Sequence, residues 1–388
     1  MRRLSKGVIC AAFALASASG AFAAAEQARI VSVGSRLPGL AELKKNIAHY
    51  EGVAPFDGVM IHVGLSDVFR AKKFSDGERD RAKANGKLYR QIRFERWKYN
   101  FLGVLIDQHR PEWFDDGYWE SVAANWGLAA KFARQLGMAG ICFDPEGYGV
   151  YPVQSHWKSA WWVKGGGKLK GGGVQPPDER HTVEDYRAVA RKRGQQVGEA
   201  VFREFPDMVL WGYYLWSFNA DLMGEFCNGL LEAMPPKARL VDGDEWNGYC
   251  AKGEGDYERM ERRNKTGGGF LDKKLAAKHM KQGGFAPAFY LDAYAWPEKS
   301  GCLTPAIGRA KSKIRFFRDN LKEARRKATG GHVWIYGEKC TWFPPPPDES
   351  PPGARARATW EETMPGIGAA LFGDRLASCG RKDRGGRK

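Results

Sequence analysis

The sequence predicts an α/β fold, a (β/α)8 TIM barrel with long loops on its C-terminal face. Three observations predict it. Eight short apolar or aromatic runs are spread along the 388 residues, several of them apolar almost without a break, as strands covered on both faces are. Helical patterns with acids early and bases late lie between them. No G-x-G-x-x-G or G-x-x-x-x-G-K-S/T segment follows an early strand, which counts against a doubly wound open sheet, the competing arrangement.

Taken in order, strands are expected at 29–33, 58–63 and 101–106. The stretch 65–100 between the second and third is long and charged, and holds either a helix or an excursion. A helix at 118–136 (YWESVAANWGLAAKFARQL) leads to a fourth strand at 139–143. After a Gly-, Lys- and Trp-rich loop at 148–181, a helix at 183–205 precedes strand five at 208–214. A helix at 222–234, strand six at 239–241, a helix at 273–282 and strand seven at 286–291 follow. A helix at 305–327 and strand eight at 332–336 complete the eight units, and 360–372 closes the set. The segment 343–357 carries FPPPPDESPPGARAR, which proline density keeps out of helix and central strand alike. No internal repeat of 20–50 residues is present.

The ends read differently. Arg2, Arg3 and Lys6, an apolar run and Ala21-Phe22-Ala23 form the pattern of a secretory signal over 1–23. One barrel is expected over 26–374, then a basic disordered tail at 375–388. The expected compartment is secreted or periplasmic. No later segment reaches about 18 uninterrupted apolar residues, so no stable membrane span is expected. The net charge is +16, and loss of the three signal cations lowers it to +13. Dispersed bases without a zinc-finger, RNP or helix-turn-helix pattern exclude nucleic acid as main partner. The charge also raises an anionic polysaccharide as a candidate partner. Of seven cysteines, Cys10 leaves with the signal. Cys142 lies within an apolar strand and reads as a free core thiol, whereas Cys250, Cys302 and Cys340 follow strands and are open to pairing.

In a barrel the chemistry stands at the C-terminal ends of the strands. Strand four ends in Asp144 and Glu146 within GICFDPEGYG. Strand six ends in Asp242, Asp244 and Glu245, strand seven in Asp292, and strand eight in Glu338. Asp at such a place often caps the next helix, whereas Glu is a poorer cap. His62 sits on strand two, where a core role competes with a ligand role. Trp157, Trp161 and Trp162 in the hydrophilic loop point to a cleft or lid. Trp211, Tyr213, Trp216, Trp246, Tyr290, Tyr294, Trp334, Tyr336 and Trp342 cluster around the strand ends, and rings with an apolar face and polar edge suit a sugar.

Carboxylates with aromatics point to cleavage of a glycosidic bond, which needs one protonated acid and one ionised carboxylate. Glu146 is the candidate acid, with Glu338, Asp292 or Glu245 as partner and Glu338 favoured. No metal or cofactor is called for by this chemistry. A non-catalytic carbohydrate-binding barrel uses the same rings, and a metal-dependent hydrolase or phosphodiesterase using His62, Asp144, Glu146 and Asp244 is a third reading.

The quartet Phe143-Asp144-Pro145-Glu146 resembles the D-x-E end of strand four in chitinase-like barrels, within the broad group of TIM-barrel glycoside hydrolases. That resemblance implies Glu146 as acid, with Asp144 assisting. FDPEGYG is also similar to the F-D-x-E-x-Y-G of uncharacterised secreted bacterial barrels. The longer acidic run of the chitinase-like families is absent, because Gly140, Ile141 and Cys142 precede Asp144. Pro145 before Glu146 also departs from the Asn-Glu pair of another large glycosidase clan.

Overall fold

A computed structural model describes residues 27–373 other than 35, 311 and 347–356. The 1–23 signal, the 375–388 tail and most of the proline-rich segment lie outside the described residues. The main sheet runs β1 (Arg29–Ser32), β2 (Gly58–Ile61), β3 (Phe101–Asp107), β4 (Gly140–Gly147), β5 (Val209–Gly212) and β6 (Arg239–Asp242). It continues through β7, in two pieces (Gly283–Phe285 and Ala288–Tyr290), to β8 (His332–Tyr336). Every pairing in it is parallel.

The sheet closes through the broken seventh strand. Its first piece pairs with β6 and its second with β8. Across the break, Ala286 donates to Asp242 O at 2.8 Å and Trp334 donates to Pro287 O at 3.3 Å. Pro287 has no N–H of its own to offer the ladder. The strand expected at 286–291 is therefore split and begins earlier, and the eight units form the expected barrel.

One principal helix follows each of the first seven strands: α1 (Leu40–Val53), α2 (Asp76–Gln91), α3 (Asp116–Gln135), α4 (Val183–Glu204), α5 (Asp221–Ala233), α6 (Glu254–Lys265) and α7 (Lys313–Lys327). The charged stretch after β2 resolves into α2, opened by a reciprocal capping box between Ser75 and Glu78. Thr182 and Asp185 open α4 in the same way. Two expectations change. The helix placed at 305–327 breaks into Thr304–Arg309 and α7, with Ser312 capping the second. The main helix after β6 is α6, not 273–282, of which Ala276–Gln282 forms a short helix. None of these helices is long and apolar enough to cross a membrane.

Two apolar layers result. The larger lies between strands and helices. The smaller fills the barrel itself with Val31, Val33, Met60, Phe101, Cys142, Trp211, Val241, Ala286, Ala288 and Trp334. Trp211 is its hub, with ring centroids 4.5 Å from His332, 5.2 Å from Phe101 and 5.7 Å from Trp334. Close packing of this kind leaves a solid floor, not a pore.

The loop after β4 is also anchored by packing. Trp157, Trp161 and Trp162 are buried in the outer layer. Trp157 Nε1 donates to Pro145 O at 2.9 Å, and Trp162 Nε1 to His156 O at 2.9 Å. They hold the loop down; none of them shares a cavity with Glu146 or Glu245, and Trp162 lines a separate one with Phe114, Asp178 and His181. A disulfide joins Cys250 to Cys302, whereas Cys142, Cys227 and Cys340 are free and buried.

Candidate active site

Strand periodicity builds the site. On β4 alternate residues face opposite ways. Phe143 turns outward and stacks on Phe69 at 5.6 Å. Cys142 points into the barrel core, and Asp144 and Glu146 continue the same inward stripe toward the mouth. On β8 the inward stripe is His332, Trp334 and Tyr336, and at β5 it is Trp211 on the strand and Tyr213 just past its end. Tyr213 stacks on Trp334 with centroids 5.0 Å apart. The chain thus lays a ring of aromatics over the floor and sets carboxylates on top.

Glu245 arrives by a different route. Asp242 ends β6 buried, and its carboxylate accepts from Leu215 N at 3.1 Å, Ser217 N and Oγ at 2.7 Å, and Asp244 N at 2.9 Å. Those bonds fix the turns after β5 and β6 together. Asp244 then takes a left-handed backbone, φ 42°, and starts the short helix Glu245–Tyr249. The turn throws Glu245 back over the mouth. Asp244 itself is buried, holds Asn247 Nδ2, and has its carboxyl pushed up to about 7 by burial and then by the Asp242 charge.

Glu146 and Glu245 line one cavity of about 750 Å³ with Gln154, Tyr214, Ser217, Phe218, Asn219, Trp246, Asn247, Tyr249 and Arg263. That size is in the range of small-ligand pockets, about 300–1,000 Å³. The two glutamates are held differently. Both oxygens of Glu146 are acceptors, for the Tyr148 hydroxyl and for Gln154 Nε2 at 3.0 Å. Glu245 is pushed up to about 8 by burial and then by the charge of Glu146, against a pull downward from the Tyr249 hydroxyl at 2.9 Å. Asp144 lies just beneath. Its Oδ1 accepts Glu146 N at 2.9 Å, and burial followed by the Glu146 charge raises its carboxyl well above the usual range.

The remaining sequence candidates are spread over several places. Glu338 is exposed, accepts the Tyr336 hydroxyl at 2.7 Å and is not among the residues lining the cavity. Asp292 is buried and accepts the backbone N–H groups of Glu338 at 2.7 Å and Lys339 at 3.2 Å, so it shapes the loop after β8. At the mouth, Tyr290 stacks on Tyr336 at 5.7 Å and lies 5.1 Å from Tyr249, while Trp246 exposes 74% of its surface beside Glu245. His62 stands in the funnel against β3, where solvent reaches it although protein surrounds it. Gly103 makes room for it, since a Cβ there would lie 2.5 Å from the ring, and its Nδ1 meets Gly103 O at 3.1 Å. Desolvation lowers its pKa.

Five rings expected to bind substrate are packing residues instead. Trp211 and Trp334 are the barrel floor, and Trp334 Nε1 donates to Gly243 O at 2.9 Å. Trp216 is buried against His279 at 4.7 Å. Tyr294 is buried against Phe317 at 5.1 Å and accepts Asn320 Nδ2 at 3.3 Å. Trp342 packs on Phe56 at 5.7 Å in the outer layer. Apolar walls need such rings as much as ligands do. The residues set for the metal reading, His62, Asp144, Glu146 and Asp244, do not converge, and among the described residues no three such side chains form a group able to hold a metal ion.

The sequence missed Gln154, Ser217, Asn219 and Arg263, which carry no pattern of their own. Tyr148 was legible from its place two residues after Glu146.

No protein-family model matches the chain, and no curated protein matches it. Solved structures do resemble it. A family 5 lichenase from Caldicellulosiruptor sp. F32 has 11% identity and a TM-score of 0.42 over 90% of this chain and 92% of its own. The exo-β-1,4-mannosidase Op5Man5 of Opitutaceae bacterium strain TAV5 has 10% identity and a TM-score of 0.40 over 79% of this chain and 52% of its own. An O-GlcNAc hydrolase of Thermobaculum terrenum has 8% identity and a TM-score of 0.39 over 81% of this chain and 55% of its own. The chain thus spans about half the length of these last two. Likeness at this level says nothing about what the chain acts on; the barrel rests on its own strand pairing.

Proposed function

We propose that the protein is a glycoside hydrolase in which Glu245 is the proton donor and Glu146 the ionised carboxylate. One observation carries the reading: two glutamates from different strand ends line one cavity, one held as an acceptor at both oxygens and the other protonated by burial and by its neighbour's charge. A carboxyl poised to donate a proton, facing a second carboxylate, is what glycosidic cleavage requires. The assignment reverses the role first expected for Glu146 and replaces Glu338 as its partner. Asp144, beneath Glu146, anchors the backbone that carries it through the 2.9 Å bond from Glu146 N.

In the reaction, Glu245 would give its proton to the leaving oxygen as the glycosidic bond lengthens. Glu146, oriented by Tyr148 and Gln154, would act on the anomeric carbon or on the attacking water. Trp246, Tyr249 and Tyr214 supply ring faces for the sugar. Export, a carbohydrate polymer as substrate and the 1–23 signal belong to the same proposal. The test is a screen of the protein against a glycan panel, repeated with Glu245→Gln and Glu146→Gln. Products from the parent protein and none from either variant support the reading. Undiminished cleavage by Glu245→Gln overturns it, and binding without cleavage by the parent protein indicates a carbohydrate-binding barrel.

A further inference from the structure

We infer that Arg263 forms a subsite for an anionic substituent on the sugar, a uronate carboxylate in first place. The inference rests on the glycan-binding reading of the cavity and names the substrate class. Arg263 lines the same cavity as Glu146 and Glu245. It stands half-buried in the last turn of α6. The backbone there is fixed on both sides: Asn264 Nδ2 donates to Gly284 O at 2.9 Å, and His279 Nε2 donates to Asn264 O at 2.7 Å.

Its guanidinium is unpaired among the described residues, with neither an ion pair nor a side-chain hydrogen bond. The contrast with other arginines is direct. Arg70, Arg187, Arg191, Arg193 and Arg326 each hold an acidic partner within 3 Å. The charge of Arg263 reaches Asp244, but that carboxyl is buried and already holds Asn247. The charge of Glu146 at one side of the cavity repels an anionic sugar unless a cation receives the sugar's charge. A partly desolvated arginine does so with two parallel N–H donors, a geometry that fits a carboxylate. Ser217, Asn219 and Asn247 offer neutral polar groups for the hydroxyls.

The experiment uses calorimetric titration of the full chain carrying Glu245→Gln, so that binding is read without turnover. The ligands are uronate oligosaccharides, the same oligosaccharides with their carboxyls reduced, and sulfated oligosaccharides. The expected result is binding of the acidic ligand about tenfold or more tighter than its reduced form, a difference of about 1.4 kcal/mol per tenfold. Arg263→Gln abolishes that preference, Arg263→Lys keeps part of it, and Arg262→Gln, altering the exposed neighbour, keeps all of it. Tighter binding of the sulfated ligand, lost in Arg263→Gln, assigns the subsite to sulfate. Melting curves of the variants identify any that fail to fold, and Arg263→Lys then carries the comparison. Equal affinity for acidic and reduced ligands, no binding at all, or a preference that survives Arg263→Gln overturns the inference. An Arg263-dependent preference in a parent protein that cleaves none of these ligands leaves the subsite standing and removes the hydrolase reading.

Discussion

The charge of Glu146 raises the proton affinity of Glu245 across the cavity that both line. The two residues come from strands four and six, and neither is placed by the other's backbone. Their coupling is electrostatic, so it is separable by substitution. With Glu146→Gln, the Glu245 carboxyl should titrate below about 8 but still above the free value, because burial, the larger cause, remains while the neighbouring negative charge is gone. A ¹³C NMR titration of glutamate carboxyls measures this, and an unmoved Glu245 would refute the coupling.

Under the proposed function, the same pair sets the pH dependence of cleavage. Activity should fall on the alkaline side with an apparent pKa near 8, as Glu245 loses the proton it must donate. Glu245→Gln should lower kcat by about 10²- to 10⁴-fold, the range general acid catalysis contributes. A kcat profile that stays flat to pH 10 would move the donor elsewhere.

Asp292 is expected to act on stability and Glu338 on neither stability nor chemistry. Asp292→Ala takes the acceptor from two part-buried backbone N–H groups, those of Glu338 and Lys339, which costs about 1–3 kcal/mol in all. Urea unfolding reads that loss. Glu338→Gln should leave kcat within a few-fold of the parent value; a hundredfold drop would restore it as a partner of Glu146.

Asp244 makes a pH-dependent contribution whose sign is fixed. Its folded pKa, about 7, is above the unfolded value of about 3.9. The folded protein therefore holds more protons between those values, and the unfolding free energy falls as pH rises through this window. Asp244→Asn removes the term, so the variant should gain on the parent protein as pH goes from 4 to 7 and hold a constant difference above about 8. Paired denaturation curves across that range check it.

Reduction should loosen the mouth. Cys250 and Cys302 are 52 residues apart and tie the segment after Glu245 to the one after β7. A bridge of that span is worth about 2–4 kcal/mol. The double change Cys250→Ser with Cys302→Ser should lower Tm, and a parent Tm indifferent to reductant would contradict the pairing.

The barrel was legible because buried parallel strands write themselves as apolar runs, and seven of the eight lay close to their expected places. Strand seven was blurred by Pro287, which breaks the ladder inside an otherwise apolar stretch. Helix α1, LAELKKNIAHYEGV, passed unnoticed because its apolar face is thin and no side chain caps it. Helix α6 hid among charges, with only Tyr257, Met260 and Asn264 buried. The acids stand at or just past the strand ends where the sequence put them, but their surroundings differ. Whether Asp292 faces a ligand or a backbone N–H depends on how the β8 loop returns, and no local pattern encodes that. The same limit separates Trp246, open to water, from Trp216, sealed beside His279.

The plug of Phe101, Trp211, His332 and Trp334 has a mechanical corollary. Nothing can thread this cylinder; under the proposed function a glycan meets the site from above, over the rim. Residues at the rim can therefore be exchanged to suit a new guest while the stack beneath keeps the frame rigid.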